Sequence, residues 1–249
     1  MTHYRNDLAF IHDAGFGHVA ANAAVELLQL LQARGVSSGL VVDLACGSGI
    51  LAEKVSGAGY DVLGVDLSQE MLALARRRAP KASFRQGSLL SVEIPPCVAV
   101  SMVGECLNYL FDPGNSTAAR RRLWRRIHQA LAPGGLLLCD VAGPGRLGAP
   151  AKQLAFEGDG WVVLVWAEED EKRRILTRRM TTFRKAGELY RRDAEVHRLR
   201  LIDPGAVARE LRGAGFRVRR LRAYGAWALG QGHAGFLARR ETSTRGNPA

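Results

Sequence analysis

Cysteine is scarce: Cys46, Cys97, Cys106 and Cys139 stand far apart among 249 residues, with no C-x-x-C pair. That spacing fits neither a zinc cluster nor a disulfide framework, so four reduced core thiols and no bound metal are expected. No run of 18 apolar residues occurs, which argues against a membrane-spanning helix, and Asp7 in the opening MTHYRNDLAF interrupts what would be the apolar core of a secretory signal. A cytoplasmic location is therefore expected. Lysine is also rare, at five of the 35 basic residues, so thirty arginines carry the net charge of +11. They are spread along the chain rather than gathered in a tail, which speaks only weakly for binding a phosphate backbone. No internal repeat and no Pro- or Ser-rich linker divides the chain, so one domain over 1–249 is expected.

What is present is an alternation. Residues 15–34 place Phe16, Ala20, Ala24, Leu27, Leu28 and Leu31 at the spacing of one helix face, and Gly35 ends it. GLVVDLAC reads as a strand buried on both faces, and GILAEKVSGAG after it as a helix. The unit repeats: strand YDVLGVDLS, a helix capped by Ser68, strand ASFRQGS, strand CVAVSMVGE, a helix with Leu123, Trp124, Ile127 and Leu131 on its apolar face, and strand GGLLLCDVA. After Pro150 the period changes to three strands without helices, GWVVLVWAEE, RRILTRRMTTFRK and ELYRRDAEVHRLRLI, an antiparallel meander. Helix DPGAVARELRGAG and strands FRVRRLRAYG and AGFLARR then resume the first pattern. The fold class expected is α/β, a doubly wound and mostly parallel seven-stranded sheet with helices on both faces and a meander inserted after the fifth strand.

The densest glycines lie in VVDLACGSGI, residues 41–50, between the first strand and its helix. Such a turn presents free backbone N–H groups and a positive helix end at the sheet's carboxyl edge, where open α/β sheets bind ligands. The dinucleotide pattern G-x-G-x-x-G fails, because its third glycine would fall on Ala52. Asp43 at the strand end would repel a pyrophosphate and suits a ligand bearing an ammonium group.

VVDLACGSG resembles motif I of the class I S-adenosylmethionine-dependent methyltransferases, and further segments match in order. The resemblance implies that Asp43, Leu44, Ala45, Gly47 and Gly49 surround the cofactor's methionine end, that Asp66 takes the ribose hydroxyls, and that Leu67 and Met71 pack on the adenosine. FRQGSLL, with Gly87, Ser88 and Leu89, matches the segment beside the adenine, and Gly104 matches the exit of the fourth strand. Tyr4 matches a lid tyrosine that closes on the methionine end. Two departures stand out: Ser88 replaces a common Asp, and Ala45 replaces a glycine, which requires a negative φ there. The implied cofactor is S-adenosyl-L-methionine, with S-adenosyl-L-homocysteine as product. The implied layout is an N-terminal lid and helix (1–35), a cofactor-binding core (39–145), a meander covering the substrate (158–201), the end of the core (203–240) and a disordered tail (241–249).

Methyl transfer from a sulfonium is an in-line displacement that demands alignment and exclusion of water, with a base only where the acceptor must lose a proton. Glu105, just after the fourth strand, His12 and His197 are candidate catalytic residues. Asn108 and Tyr109 either contact substrate or cap and pack the next helix, and Phe16 is either a substrate contact or core. Trp166, His197 and Arg198 on the meander are candidates for the substrate pocket; alternation puts Glu195, His197 and Leu199 on one face of their strand. The reading is a methyltransferase acting on an O, N or C nucleophile of a small molecule, with no membrane partner, nucleic acid disfavoured and a homodimer allowed. The alternatives are an RNA or protein methyltransferase using the basic surface, or a non-catalytic cofactor-binding member of the fold.

Overall fold

A computed structural model describes residues 3–241; of the expected tail, residues 242–249 lie outside the described residues. Helices α1 (Asn6–Gly15) and α2 (His18–Gln32) precede β1 (Leu40–Leu44), α3 (Ile50–Gly57), β2 (Asp61–Asp66), α4 (Gln69–Arg78), β3 (Ser83–Gln86) and β4 (Cys97–Met102). A single 3-10 turn at Cys106–Asn108 leads to α5 (Thr117–Ala130) and β5 (Leu131–Ala142). Four strands follow, β6 (Ala151–Gly158), β7 (Trp161–Asp170), β8 (Ile175–Ala186) and β9 (Leu189–Arg200). The chain ends in α6 (Pro204–Gly213), β10 (Phe216–Leu221), the short pair β11 (Ala223–Tyr224) and β12 (Trp227–Ala228), and β13 (His233–Arg240).

The main sheet runs β10-β13-β5-β4-β1-β2-β3. Strands β1 to β5 pair in parallel, and β13 alone runs against its neighbours β5 and β10. Both faces are buried, as the near-continuous apolar strands require. Val42, Val100 and Leu137 pack on one face against Leu123 and Trp124 of α5 and Leu211 of α6. Val41, Ala99 and Leu136 pack on the other against Leu27 and Leu31 of α2 and Val55 of α3. Chain order reverses between β1 and β4, and this switch point opens a crevice at the strands' carboxyl ends.

Two features differ from the sequence pattern. The helix expected over 15–34 is α2, which starts only at His18, and a separate helix, α1, precedes it; the break falls at Phe16 and Gly17, where a Cβ on Gly17 would stand 2.5 Å from Ile50 Cδ1 and one on Gly15 would stand 2.7 Å from the Trp161 ring. The meander has four strands, not three, and begins at Ala151: β6 is an edge strand with every residue exposed, so backbone pairing with β7 defines it and no burial pattern marks it.

Polar contacts tie the N-terminal segment to the meander. Glu195 accepts hydrogen bonds from the Tyr4 and Arg5 backbone N–H groups at 2.9 and 2.8 Å, and Asp7 pairs with Arg184 and Arg191. Arg78 of α4 grips Asp13 at the other end of α1. Helix α1 and the four-stranded sheet thus form one roof over the crevice.

Candidate active site

Beneath that roof lies a cavity of about 700 Å³, within the range of small-molecule sites. Its floor is the β1–α3 turn. Gly47 (φ +53) and Gly104 (φ +86) have no atom within 4 Å of an added Cβ, so the backbone is bare toward the cavity at both strand ends. Asp66 fixes the turn: its oxygens accept hydrogen bonds from Gly47 N and Ser68 N, each at 2.9 Å. Asp43, 2% exposed, accepts from the Ser101 hydroxyl at 2.7 Å. Burial pushes Asp43 up to about 7 and raises Asp66 as well. Neither carboxylate has a cationic partner among the described residues, so a ligand carrying positive charge would complete the site.

Of the residues matched to the cofactor, Tyr4, Asp43, Ala45, Gly47, Asp66, Leu67, Met71, Gly87, Leu89 and Gly104 line the cavity. Three do not. Leu44 is fully buried in the sheet core. Gly49 (φ +78) opens α3, and its added Cβ would meet Ala75 Cα at 2.9 Å, so it serves helix packing. The Ser88 hydroxyl turns to Asp112 and to Leu90 N, holding a loop, and Asp112 reaches the cavity in its place. Ala45 departs from expectation in its backbone: φ is +59, a left-handed value that strains a residue with a Cβ. Tyr4 (φ +53) and Glu105 (φ +62) are strained likewise, so three of the four positive-φ non-glycine residues among those described border one cavity.

The roof is aromatic. The Tyr4 and Tyr109 hydroxyls lie 2.8 Å apart, and His197 sits against both rings with centroids at 4.8 and 5.6 Å. His3 stacks on Phe111 at 4.4 Å. His197 Nε2 lies 2.9 Å from Glu195 Oε2, and no group among the described residues holds its Nδ1. His3, Glu195 and His197 stand close enough to share a metal ion. Glu195, however, already accepts from Tyr4 N, Arg5 N and His197, which leaves it a poor ligand. Burial drives His12 down to about 4, so it is neutral near pH 7, and its Nδ1 has no partner among the described residues.

Glu105 is not placed to take a proton. Burial alone would raise its pKa, but Arg178 and Arg146 overcome this and hold it at about 2. Arg146 binds one oxygen and Arg178 Nη2 the other, at 2.8 Å. Asp140 supports this corner, accepting from Gly104 N at 2.9 Å, Glu105 N at 2.6 Å and the Tyr224 hydroxyl at 3.0 Å, with His233 Nε2 3.1 Å from its other oxygen.

Several proposed substrate contacts fall elsewhere. Asn108 is 0% exposed; its amide donates to the Ala142 and Arg200 carbonyls and accepts from Ala142 N, clamping the meander to β5. Trp166 is 43% exposed and points outward from β7, and Arg198 points outward from β9, because the period of two puts them on the face opposite His197. Phe16 and Tyr109 do line the cavity. Sequence reading missed Arg146, Arg178, Glu195 and His233. For Arg178 a signal existed: with Leu176, Met180 and Thr182 it shares the inward face of β8, and a charge on such a face needs a purpose.

Residues 41–135 match the family model described as a methyltransferase domain. YqeM of Bacillus subtilis (strain 168), which carries a methyltransferase name, is 28% identical over 74% of this chain and 76% of its own. The dTDP-4-amino-2,3,4,6-tetradeoxy-D-glucose N,N-dimethyltransferase of Saccharopolyspora spinosa is 29% identical over 55% of each chain, so the match spans about half of that relative. The structure of an S-adenosylmethionine-dependent methyltransferase from Clostridium acetobutylicum ATCC 824 superposes with a TM-score of 0.80 over 96% of this chain and all of that one, at 17% identity. The matching domain and the shared fold agree: residues 41–135 form a methyltransferase domain, carried on the fold of the S-adenosylmethionine-dependent methyltransferases.

Proposed function

We propose that the chain works as one domain that methylates a small molecule, the acceptor entering between the β1–α3 turn and the roof made by α1 and the meander. The observation that carries this is the roofed cavity: bare glycine backbone and two carboxylates without a cationic partner among the described residues at one end, an aromatic and histidine-lined chamber at the other. The bound cofactor supplies an electrophilic methyl group. Asp43 would hold the cofactor's ammonium group and Asp66 its ribose hydroxyls, while Leu67, Met71 and Leu89 would enclose the adenosine. Tyr4, set by its backbone hydrogen bond to Glu195, would cover the methionine end and exclude water, which sharpens every charge inside. His197 is the proton acceptor: Glu195 holds Nε2–H, so the Nδ1 lone pair is free for an acceptor hydroxyl or ammonium.

The sugar N,N-dimethyltransferase among the relatives supports an acceptor of small-molecule size. Among the described residues no helix is long and apolar enough to cross a membrane; a cytoplasmic location is part of this reading. The outward face of the four-stranded sheet, with Leu164, Trp166 and Val196 exposed, suits a second copy of the chain. Nucleic acid is not a partner in this reading, since the acceptor chamber is roofed. S-adenosylhomocysteine at millimolar concentration should raise the melting temperature while NAD and ATP do not. A metabolite panel incubated with enzyme and cofactor should yield one product heavier by one methyl group. An affinity for RNA that falls steeply with salt would count against this reading.

A further inference from the structure

At the end of the cavity beneath the meander, three cationic side chains and one carboxylate line the wall. Arg146 and Arg178 share Glu105, one on each oxygen, and Lys152 of β6 lines the same cavity with no carboxylate partner among the described residues. The other acids nearby are occupied: Glu195 by Arg5, His197 and two backbone N–H groups, Asp140 by the Gly104–Glu105 corner and Tyr224, and Glu169 by the Gly145 and Leu147 N–H groups on either side of Arg146. A guanidinium offers five N–H donors. Arg178 gives one to the protein, and Arg146 gives one to Glu105 and a long one, at 3.4 Å, to the Gln231 carbonyl. Their side chains are 24% and 27% exposed. Val165, Ala167, Leu176 and Met180 wall the space around them. Donors left open beside an apolar wall favour a ligand that brings its own acceptor oxygens, and Glu105 fixes both planar forks before it arrives.

We propose that Arg146 and Arg178, held by Glu105, form an anion subsite that selects methyl acceptors carrying a carboxylate or phosphate group on an apolar body. The proposal rests on the methyltransferase reading. The anion sits beside β8 and the apolar body lies along Val165 and Met180 toward Tyr109 and His197, which leaves the nucleophile facing the methyl group.

Four matched probes test it by calorimetry, with and without saturating S-adenosylhomocysteine: 4-hydroxyphenylacetate, 4-hydroxybenzylphosphonate, 4-hydroxyphenylacetamide and tyramine, the phosphonate standing in for a phosphate. The carboxylate or the phosphonate should bind at least about tenfold tighter than the neutral amide and the amine, the factor that one charge-assisted contact supplies; which of the two binds tighter names the anion. Arg178→Met should abolish that preference with the affinity for S-adenosylhomocysteine unchanged, and Arg178→Lys, which keeps the charge, should retain it. Arg146→Met should weaken it, giving a second reading if Arg178→Met folds poorly. No preference among the four probes overturns the subsite. So does a loss of S-adenosylhomocysteine affinity in Arg178→Met, which would give the arginine to the cofactor's own carboxylate. Failure of the wild type to bind S-adenosylhomocysteine would instead strike the methyltransferase reading, and the probes measured without it still report on the arginines.

Discussion

At the β1–β2 end of the cavity, the buried Asp43 and the half-buried Asp66 are held by a hydroxyl and by backbone N–H groups, with no cation beside them among the described residues. At the meander end, Glu105 is buried like Asp43 but carries two arginines, and charge of the opposite sign is left over. Identical chemistry in similar burial gives opposite shifts: Asp43 rises to about 7, while Glu105 falls to about 2. The difference lies in the neighbours, and it shows what each end awaits. One end lacks a cation and the other lacks an anion.

The strongest way to break this contrast is Asp66→Ala. It removes the acceptor for Gly47 N and Ser68 N and the carboxylate proposed for the ribose, so the affinity for S-adenosylhomocysteine should drop by about a hundredfold or more in calorimetry. At the opposite end His197→Gln should lower kcat by about 10² to 10⁴ for an acceptor that must lose a proton. Cofactor affinity should stay as in the wild type. If both variants lose cofactor binding alike, the two ends are not separate.

The contrast can be sharpened by pH. Asp43 has a folded pKa raised from 3.8 to about 7 by burial, so the folded protein holds a proton that the unfolded chain has released between those values. Stability of the ligand-free protein therefore falls as pH rises through that window. Asp43→Asn removes the titration; it should be more stable than wild type at pH 8 by about 2 kcal/mol in urea melts, half of what three pKa units imply, because the new amide oxygen still accepts from Ser101 but its buried NH2 group gains no acceptor. The gain should vanish near pH 4, and cofactor binding should weaken. Glu105 runs the other way. Its folded pKa lies below its unfolded value of 4.5, so its contribution is present above 4.5 and is lost as pH falls toward 2. Glu105→Gln should cost about 1 to 2 kcal/mol at pH 7, discounted because both arginines are about a quarter exposed.

The same contrast separates what was legible in the sequence from what was not. The β1–α3 turn and Asp66 lie within 26 residues, and their glycines, strand pattern and spacing are local, so motif and fold order could be read together. The roof draws on Tyr4, Tyr109, Arg146, Arg178 and His197, which only the folded chain brings together. Arg178 is one of thirty arginines, and the left-handed turns at Ala45 and Glu105 leave no trace in residue type. Edge strand β6 escaped because nothing on it is buried.

The smallest effect tests which face of the meander does the work. Trp166 and Arg198 stand on the outer face of the sheet, opposite Arg178 and His197, and each makes its room in solvent. Trp166→Ser and Arg198→Ser should each change stability by less than about 0.5 kcal/mol, the usual bound for surface positions away from special features. Cofactor affinity and acceptor turnover should stay level. A change in acceptor KM would put Trp166 back in the chamber and reverse the register drawn for β7. A change confined to oligomer size, read by light scattering, would leave the chamber as described and give the outer face to a second copy of the chain.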